Sequence, residues 1–435
     1  MSSFISDVVR VGTSNVLMIG LGLGTSIITA RFIGPEGNGM IAALLVYPSL
    51  FMSIGSLGIR QSTTYFLGKG IYSELHIKQA ITQIWMLTTI FSLIVSFVLM
   101  RYFSETGGNL LLVTLALLPI PFSLFNTYNS GIFLGKNDIK SFNKINWIPS
   151  LIAFLGTLIF VVWIRFDVAG ALIAGIGGPL FIAVILLFRN KFIQDFSLNY
   201  NWKIIKSMLS QGIVYAISLL VINLNYKADI IILDKLSTPF EMGIYSKGSA
   251  ITQYLWQIPM LFSTIVFARS AVSKDNRLFS YKVIQLLRVS FFFILIASSI
   301  LILFSRFIII GMYGEDFRGS ISVLNYLVPG VVVLTIFKVM NVDLAGKGKP
   351  WVSMKAMIPA LVINIILNFL WIPQDGSNGA ALASTISYTL AGVLFLFFYS
   401  KEAEIPVKEI LTYKKTDFDP LINILKKLKK DESSE

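Results

Sequence analysis

The amino-acid sequence predicts an all-α integral membrane protein: twelve transmembrane helices in two parallel six-helix repeats. Three observations lead there. The 435-residue chain is 55% hydrophobic and only 14% charged, with a mean hydropathy of +0.75, whereas soluble domains carry about 25% charged residues. Apolar stretches long enough to cross a bilayer recur along its whole length. The chain also repeats itself at about half its length. Arg31, Pro35 and Gly39 return as Lys235, Pro239 and Gly243, each 204 residues later. Pro119 returns as Pro329, Pro149 as Pro359, Trp163 and Asp167 as Trp371 and Asp375, and Gly135-Lys136 as Gly346-Lys347, the offset drifting only between 204 and 211. Internal duplication in a membrane protein points to a transporter with its site between the repeats.

In chain order the first repeat offers spans near 11–33, 39–60, 78–100, 110–134, 145–164 and 168–188. The second offers 208–234, 241–267, 285–305, 319–345, 351–371 and 379–399. Proline falls inside matched members: Pro48 and Pro259 in the second and eighth, Pro119 with Pro121 and Pro329 in the fourth and tenth. Kinks are expected there, since neighbouring helices can satisfy the freed carbonyls. Six spans per repeat is an even number, so both halves insert the same way and their pseudo-two-fold axis follows the membrane normal. The predicted organisation is an N-lobe over 1–200, a C-lobe over 201–400 and a basic cytoplasmic tail over 401–435.

Lysine and arginine set the orientation. With the N-terminus inside, 27 of the 36 fall in inner segments and six at outer ends: Arg31, Arg101, Arg165, Lys235, Arg306 and Arg318. Positive charge is retained in the cytoplasm, so both termini are expected there. The net charge of +13 then reflects topology and lipid contact, and its dispersal over loops gives no nucleic-acid partner. In the tail, Asp419 and Pro420 form an N-cap and N1 pair. Leu421, Ile422, Leu425 and Leu428 follow at helical spacing, with Lys426, Lys427, Lys429 and Lys430 on the polar side. Such a basic amphipathic helix lies on an anionic leaflet.

Soluble-enzyme chemistry finds no support. The chain has no cysteine and one histidine, His76, which excludes thiolate or histidine metal sites and a His-dependent triad. Gly20, Gly22 and Gly24 alternate inside the first span with no preceding strand, a pattern for close helix approach. Gly131 to Lys136 lacks Walker spacing, so ATP hydrolysis is not expected and energy comes from a gradient or from partners. Met1 to Arg10 and the apolar stretch after it resemble a signal peptide, but the stretch runs to Ile33 without a small-residue cleavage site and reads as a retained span.

The remaining chemistry is charge within the bilayer. Lys227 and Asp229 lie in the seventh span, Lys247 in the eighth, and Lys338 and Asp343 in the tenth. Each costs about 2.5–3.5 kcal/mol on insertion scales, so each should face a partner or a wet cavity. Lys227 and Asp229 are two residues apart, and Lys338 and Asp343 five, placing each pair on different helix faces. Their partners are expected on other helices, in water or on a ligand. Asn223, Asn225 and Tyr226 make the seventh span the most polar. Interhelical pairing with no ligand role is the competing reading for all of these charges. With Arg31 at a span end, four cations meet two acids, which favours an anionic cargo. Lysine serves there as a point charge for phosphate oxygens.

The stretch Ala30-Arg-Phe-Ile-Gly-Pro-Glu-Gly-Asn-Gly39, its echo from Ala228-Asp-Ile-Ile-Ile-Leu-Asp to Gly243-Ile-Tyr-Ser, and Asn378-Gly-Ala-Ala-Leu-Ala383 resemble Wzx-type polysaccharide flippases. These belong to the superfamily that holds the MATE exporters and the lipid II flippase MurJ. The resemblance runs from the first span to about Tyr399. It implies two six-helix lobes around a central cavity open to one side at a time. It also implies transport of undecaprenyl-pyrophosphate-linked repeat units across the bacterial inner membrane for surface polysaccharide such as O-antigen, not enzymatic activity. On that reading Arg31, Lys227, Lys247 and Lys338 attract the pyrophosphate, while Asn223, Asn225, Gln253 and Tyr254 meet sugars. Asp229 and Asp343 are candidates for coupling to a proton or sodium gradient, with no other cofactor and no metal. Partners are the lipid-linked oligosaccharide, anionic lipid through the tail, and the polymerase and chain-length machinery. A cation-coupled MATE-type exporter, a lipid II flippase and a non-transporting scaffold for a polymerase complex stay open.

Overall fold

The computed structural model describes residues 2–136, 138, 147–191, 195, 197, 200–273 and 275–419. Every regular element among them is helical: α1 (Ser2–Gly55), α2 (Ile59–Gly68), α3 (Glu74–Phe103), α4 (Leu110–Leu117), α5 (Pro119–Gly135), α6 (Ile148–Thr157, prolonged by a π-turn to Trp163) and α7 (Asp167–Arg189). The second half continues with α8 (Trp202–Leu236), α9 (Pro239–Tyr254), α10 (Gln257–Val272), α11 (Asn276–Leu303), α12 (Ser305–Tyr313), α13 (Ser320–Gly346), α14 (Val352–Ala403) and α15 (Val407–Leu411).

These helices give twelve crossings. α1 holds the first two, divided only at Gly34 (φ 74°), and α14 the last two, divided at Gly376 (φ 53°). Only glycine enters that left-handed region freely, and Pro35 then starts the second arm with φ already set for a helix. In the second repeat the same corner is built differently. Thr238 caps α9 by accepting from the Glu241 amide, with Pro239 at N1. We call the end of the bundle holding these corners the hinge end. The opposite one, holding the 69–73 and 347–351 turns, is the tail end.

Proline explains only part of the kinking. The fourth span breaks at Leu118, just ahead of Pro119, and the eighth at Leu255–Trp256, ahead of Pro259. Pro329 sits inside an unbroken α13. The second span does not break at Pro48 as expected. It breaks at residues 56–58, where Leu57 (φ 44°) and Gly58 (φ 62°) are left-handed.

α3 shows what solvent surrounds the bundle. It exposes Leu87, Ile90, Phe91, Ile94 and Phe97, and buries Thr88, Thr89, Ser92 and Ser96. That pattern is inverted relative to a helix in water and suits a helix whose outer face meets lipid. Among the described residues eight helical stretches are long and apolar enough to cross a membrane; the chain is a multi-pass membrane protein.

The second half packs around α13, with Phe337 and Phe395 edge to face at 4.7 Å, in one cluster that also takes in Ala30 from α1. The first half has two smaller clusters. One of these contains Ile204, Ile205 and Met208 from α8. The tail-end half of α8 packs on the first repeat, and its hinge-end half packs on both, with Ile232 and Leu233 in the second half's cluster and Ile230 and Ile231 against the first half's. Beyond α14, residues 405–418 fold back on α11. Arg288 pairs with Asp417 at 3.0 Å, both side chains buried, and donates to the Glu409 (3.2 Å) and Thr412 carbonyls. The amphipathic helix expected from Pro420 onward lies outside the described residues.

Candidate functional site

At the hinge end the two repeats meet along a seam whose contacts come in matched pairs. Gly39 lies against the Pro239 carbonyl and Gly243 against the Pro35 carbonyl; a Cβ on either would sit 1.8 and 1.9 Å from those oxygens. The backbones touch because neither residue has a side chain. The four residues are the repeated Pro-x-x-x-Gly pairs noted in the sequence, now packed on each other.

The cations at the matched positions 31 and 235 both cross this seam. Arg31 donates from Nε to the Met312 carbonyl (2.9 Å) and from Nη2 to the Gly311 carbonyl, at the end of α12 in the ninth-to-tenth connection. Lys235 pairs with Glu105 at 2.8 Å, in the third-to-fourth connection of the first repeat. Each half thus reaches the corresponding connection of the other. Lys247, buried, points from α9 into α1, donating to the Ser26 carbonyl (3.0 Å), Ser26 Oγ (3.2 Å) and Thr29 Oγ1 (2.9 Å). Ser26 Oγ also meets the Tyr313 hydroxyl at 3.1 Å. Arg31 and Lys247 were expected to line a cavity, but here both hold the seam together. An ammonium with three oxygens in contact has no donor left for a ligand.

Deeper in the bundle the remaining two cations are placed differently. Lys338 Nζ lies 4.1 Å from the Tyr226 ring centroid and 4.4 Å from that of Trp256, with Tyr388 packed edge-on against Tyr226. Among the described residues no carboxylate comes within ion-pair distance of Lys338 or of half-buried Lys227. An interior ammonium held by ring faces alone keeps its hydrogen-bond donors free.

Asn223, one turn before Lys227, donates across to Ser53 Oγ of α1 at 2.9 Å. Asn225, expected beside it, is fully buried on the other face, donating to Ser387 Oγ at 2.9 Å. It faces α14, because two residues along a helix reverses the direction. Gln253 is exposed and donates to Ser249 Oγ at 3.1 Å, while Tyr254 is half-buried with its hydroxyl toward Gly22.

Both acids expected in the spans sit in closed networks within the second half. Asp229 accepts from the Tyr245 hydroxyl, Ser384 Oγ (3.0 Å) and the Ile230 amide (2.8 Å). Asp343 accepts from Ser270 (2.6 Å), Ser280 (3.0 Å), Tyr399 (2.7 Å) and Lys347 (2.8 Å), tying α10, α11, α13 and α14 together at the tail end. Its partner was expected on another helix, in water or on a ligand; its cation is Lys347, one turn on in α13. Asp343→Ala is expected to destabilise the fold by about 3–5 kcal/mol, because breaking a buried pair leaves Lys347 uncompensated. A large drop in the melting temperature of the purified protein would show this, and an unchanged one would refute it.

Sequence reasoning missed Asp234. It is 3% exposed at the hinge end of α8, contacting the Ser104 hydroxyl and the Glu105 amide of the first repeat. The signal was available in the repeat: its matched position, one before Arg31, holds Ala30.

Crossings arranged in two matched halves and joined by a reciprocal seam define a multi-pass membrane protein. A family model described as polysaccharide biosynthesis protein matches residues 28–322, and the chain belongs to that family. An uncharacterized membrane protein of Methanocaldococcus jannaschii is 23% identical over 422 residues, covering 92% of this chain and 99% of the relative. Among solved structures, the lipid II flippase MurJ in an inward closed conformation aligns with a TM-score of 0.76 at 15% identity, covering 96% of each chain. An inward-facing multidrug resistance MATE family transporter of the MOP superfamily aligns at 0.73 and 14% identity, over 91% of this chain and 98% of its own. A MOP superfamily transporter from Pyrococcus furiosus aligns at 0.67 and 14%, over 91% and 95%. At these identities the structures establish the shared fold.

Proposed function

We propose that the protein translocates undecaprenyl-pyrophosphate-linked oligosaccharide repeat units between leaflets of the bacterial inner membrane, with both termini cytoplasmic and the hinge end outside. The observation that carries this reading is the pair Lys227 and Lys338. Two interior ammonium groups without a carboxylate in ion-pair contact suit a dianionic headgroup. The family's place in polysaccharide biosynthesis supplies the glycan, and an isoprenyl chain can remain in lipid beside the bundle. The seam is closed at the hinge end, so loading belongs to the tail-end side and release requires the seam to part. The six-helix lobes are the moving units, and the polymerase and chain-length machinery are the partners that receive the product.

The test is a vesicle assay with defined lipid-linked glycans, in which the reconstituted protein accelerates transfer of pyrophosphate-linked glycan but not of a neutral glycolipid. Equal transfer of both would remove the anion from the mechanism.

Gradient coupling is a separate part of the proposal. Asp229 lies in α8 two residues from Lys227, so an anion held by Lys227 changes the field at the carboxylate, and binding of one ligand then alters affinity for the other reciprocally. Asp229→Asn is expected to flip at a rate indifferent to an imposed proton or sodium gradient. A variant that stays fully gradient-dependent excludes Asp229 as the coupling site.

A further inference from the structure

Lys338 has a counterpart on the outside of the bundle. Lys355 stands in the first turn of α14, and its Nζ lies 4.5 Å from the Trp351 ring centroid and 5.7 Å from that of Phe398. Trp351 is one turn earlier and Phe398 belongs to the returning arm of α14, so the ammonium bridges the eleventh and twelfth crossings. Unlike Lys338, Lys355 is exposed. A helical side chain leans toward the N-terminus of its helix. That lean carries this charge toward the tail-end surface and away from the bilayer centre.

The surroundings of Lys355 face lipid. Deeper along the eleventh crossing, Ile358, Val362 and Phe369 are exposed on the same stripe of the helix. On the twelfth, Leu394, Phe398 and Lys401 share one face, spaced by one turn each. The two arms are antiparallel and touch directly. Ser387 Oγ donates to the Ala360 carbonyl at 2.9 Å, and Asn364 Nδ2 to Ser384 Oγ at 3.4 Å. This register sets Leu394 beside Ile358, one turn deeper than the contact of Lys355 with Phe398. Two packed helices leave a groove along their line of contact. Here it is apolar along its length, with Lys355 and Lys401 at its tail-end mouth.

Those two charges are not neutralised by the protein. Among the described residues neither has a carboxylate within ion-pair distance. Glu402, next to Lys401, is taken by Lys349 at 3.0 Å. Exposed Glu404 stands past the end of α14, where the chain turns away with φ 56°. An ammonium held between ring faces keeps its hydrogen-bond donors free. Bare positive charge at the end of an apolar groove complements a lipid with an anionic headgroup.

We propose that this groove binds one anionic phospholipid of the tail-end leaflet, its phosphate on Lys355 and Lys401 and an acyl chain along Ile358, Val362 and Leu394. Trp351 lies beside the headgroup, at the interfacial depth that tryptophan favours. The site is on the lipid-facing surface of the second half, apart from the interior Lys227 and Lys338, and does not rest on the transport reading.

Trp351 is itself the reporter. The full-length protein is placed in nanodiscs of phosphatidylcholine, without glycan, and a minor fraction of phosphatidylglycerol brominated high on its chains is titrated in. The difference from Trp351→Phe isolates the emission of Trp351 from that of the other tryptophans. Half-quenching should come at a mole fraction about tenfold lower for brominated phosphatidylglycerol than for brominated phosphatidylcholine, because two lysines attract the anion. Lys355→Gln with Lys401→Gln should bring the two lipids to the same fraction, while Lys355→Arg should keep the preference. Arg277→Gln with Lys282→Gln, which removes as much charge from exposed positions at the same end of α11, should leave it unchanged.

Equal quenching by both lipids in the parent, or a preference that survives the Lys355 and Lys401 pair of substitutions, would overturn the proposal. So would a preference that falls as far in the Arg277 and Lys282 pair, which would make it a diffuse surface field. Displacement of the brominated lipid by an equal mole fraction of an isoprenyl diphosphate would give the groove to the diphosphate instead, and overturn it too. None of these results touches glycan transfer, and failure to flip glycan leaves the phospholipid site intact.

Discussion

Lys227→Gln combined with Lys338→Gln is expected to reduce transfer of pyrophosphate-linked glycan by about 100-fold while leaving membrane abundance unchanged. A hydrogen bond to a charged group contributes about 1.5–3 kcal/mol, and about 1.4 kcal/mol is tenfold, so two such contacts to one diphosphate account for that loss even without full additivity. Neither lysine has a carboxylate that its removal would orphan, so folding should survive; the contrast is with Asp343, where it should not. Lys227→Arg should retain part of the activity, since the positive charge stays. Lys338→Arg should lose more, because the guanidinium must fit between the Tyr226 and Trp256 rings, 4.1 and 4.4 Å from the present ammonium. The rates come from vesicle transfer normalised to reconstituted protein. Normal transfer by the double variant would end the assignment of the interior cations to substrate.

The second large effect concerns the seam. Gly39→Val and Gly243→Val should each open the hinge end, because the added Cβ would lie under 2 Å from a partner carbonyl and the backbones cannot yield without parting the halves. Ala30 is buried in α1 and packs into the second half's core, so maleimide labelling at Ala30→Cys should rise at least tenfold in either variant. Transfer should fall because the closed state is no longer reached. The matched positions predict matched phenotypes. If one valine opened the seam and the other left labelling at the parental rate, the reciprocal packing would not be what closes it.

The twelve crossings were legible in the sequence because a lipid-facing helix declares itself by composition alone, and the repeat was legible because Pro-x-x-x-Gly occurs at both corners. The sites were harder to read. Lys247 and Arg31 are chemically like Lys227 and Lys338, and only the fold shows that two of them bridge the repeats while two do not. Asn223 and Asn225 look alike in sequence, yet one turns to α1 and the other to α14. The acids were visible, but their partners were serines and tyrosines scattered over 150 residues, such as Ser384 for Asp229, and hydroxyls in apolar spans carry no sequence signal of pairing. Asp234 lay outside the central window of its span, where a charge is ordinary. Kinks were misplaced wherever a left-handed residue did what proline was expected to do, as at Leu57 and Gly58.

The return of residues 405–418 onto α11 bears on where the protein can be cut. A boundary drawn at the end of the last crossing, after Ala403, looks natural from hydropathy. Such a cut would remove Asp417 and the Glu409 and Thr412 carbonyls, stranding the Arg288 guanidinium in a buried groove of α11. It would also strip Phe292 of the Phe418 ring stacked edge-on at 5.5 Å. The folding unit therefore extends at least to Phe418. Shortened chains that stop before that residue should be degraded in the cell, not merely altered in transport.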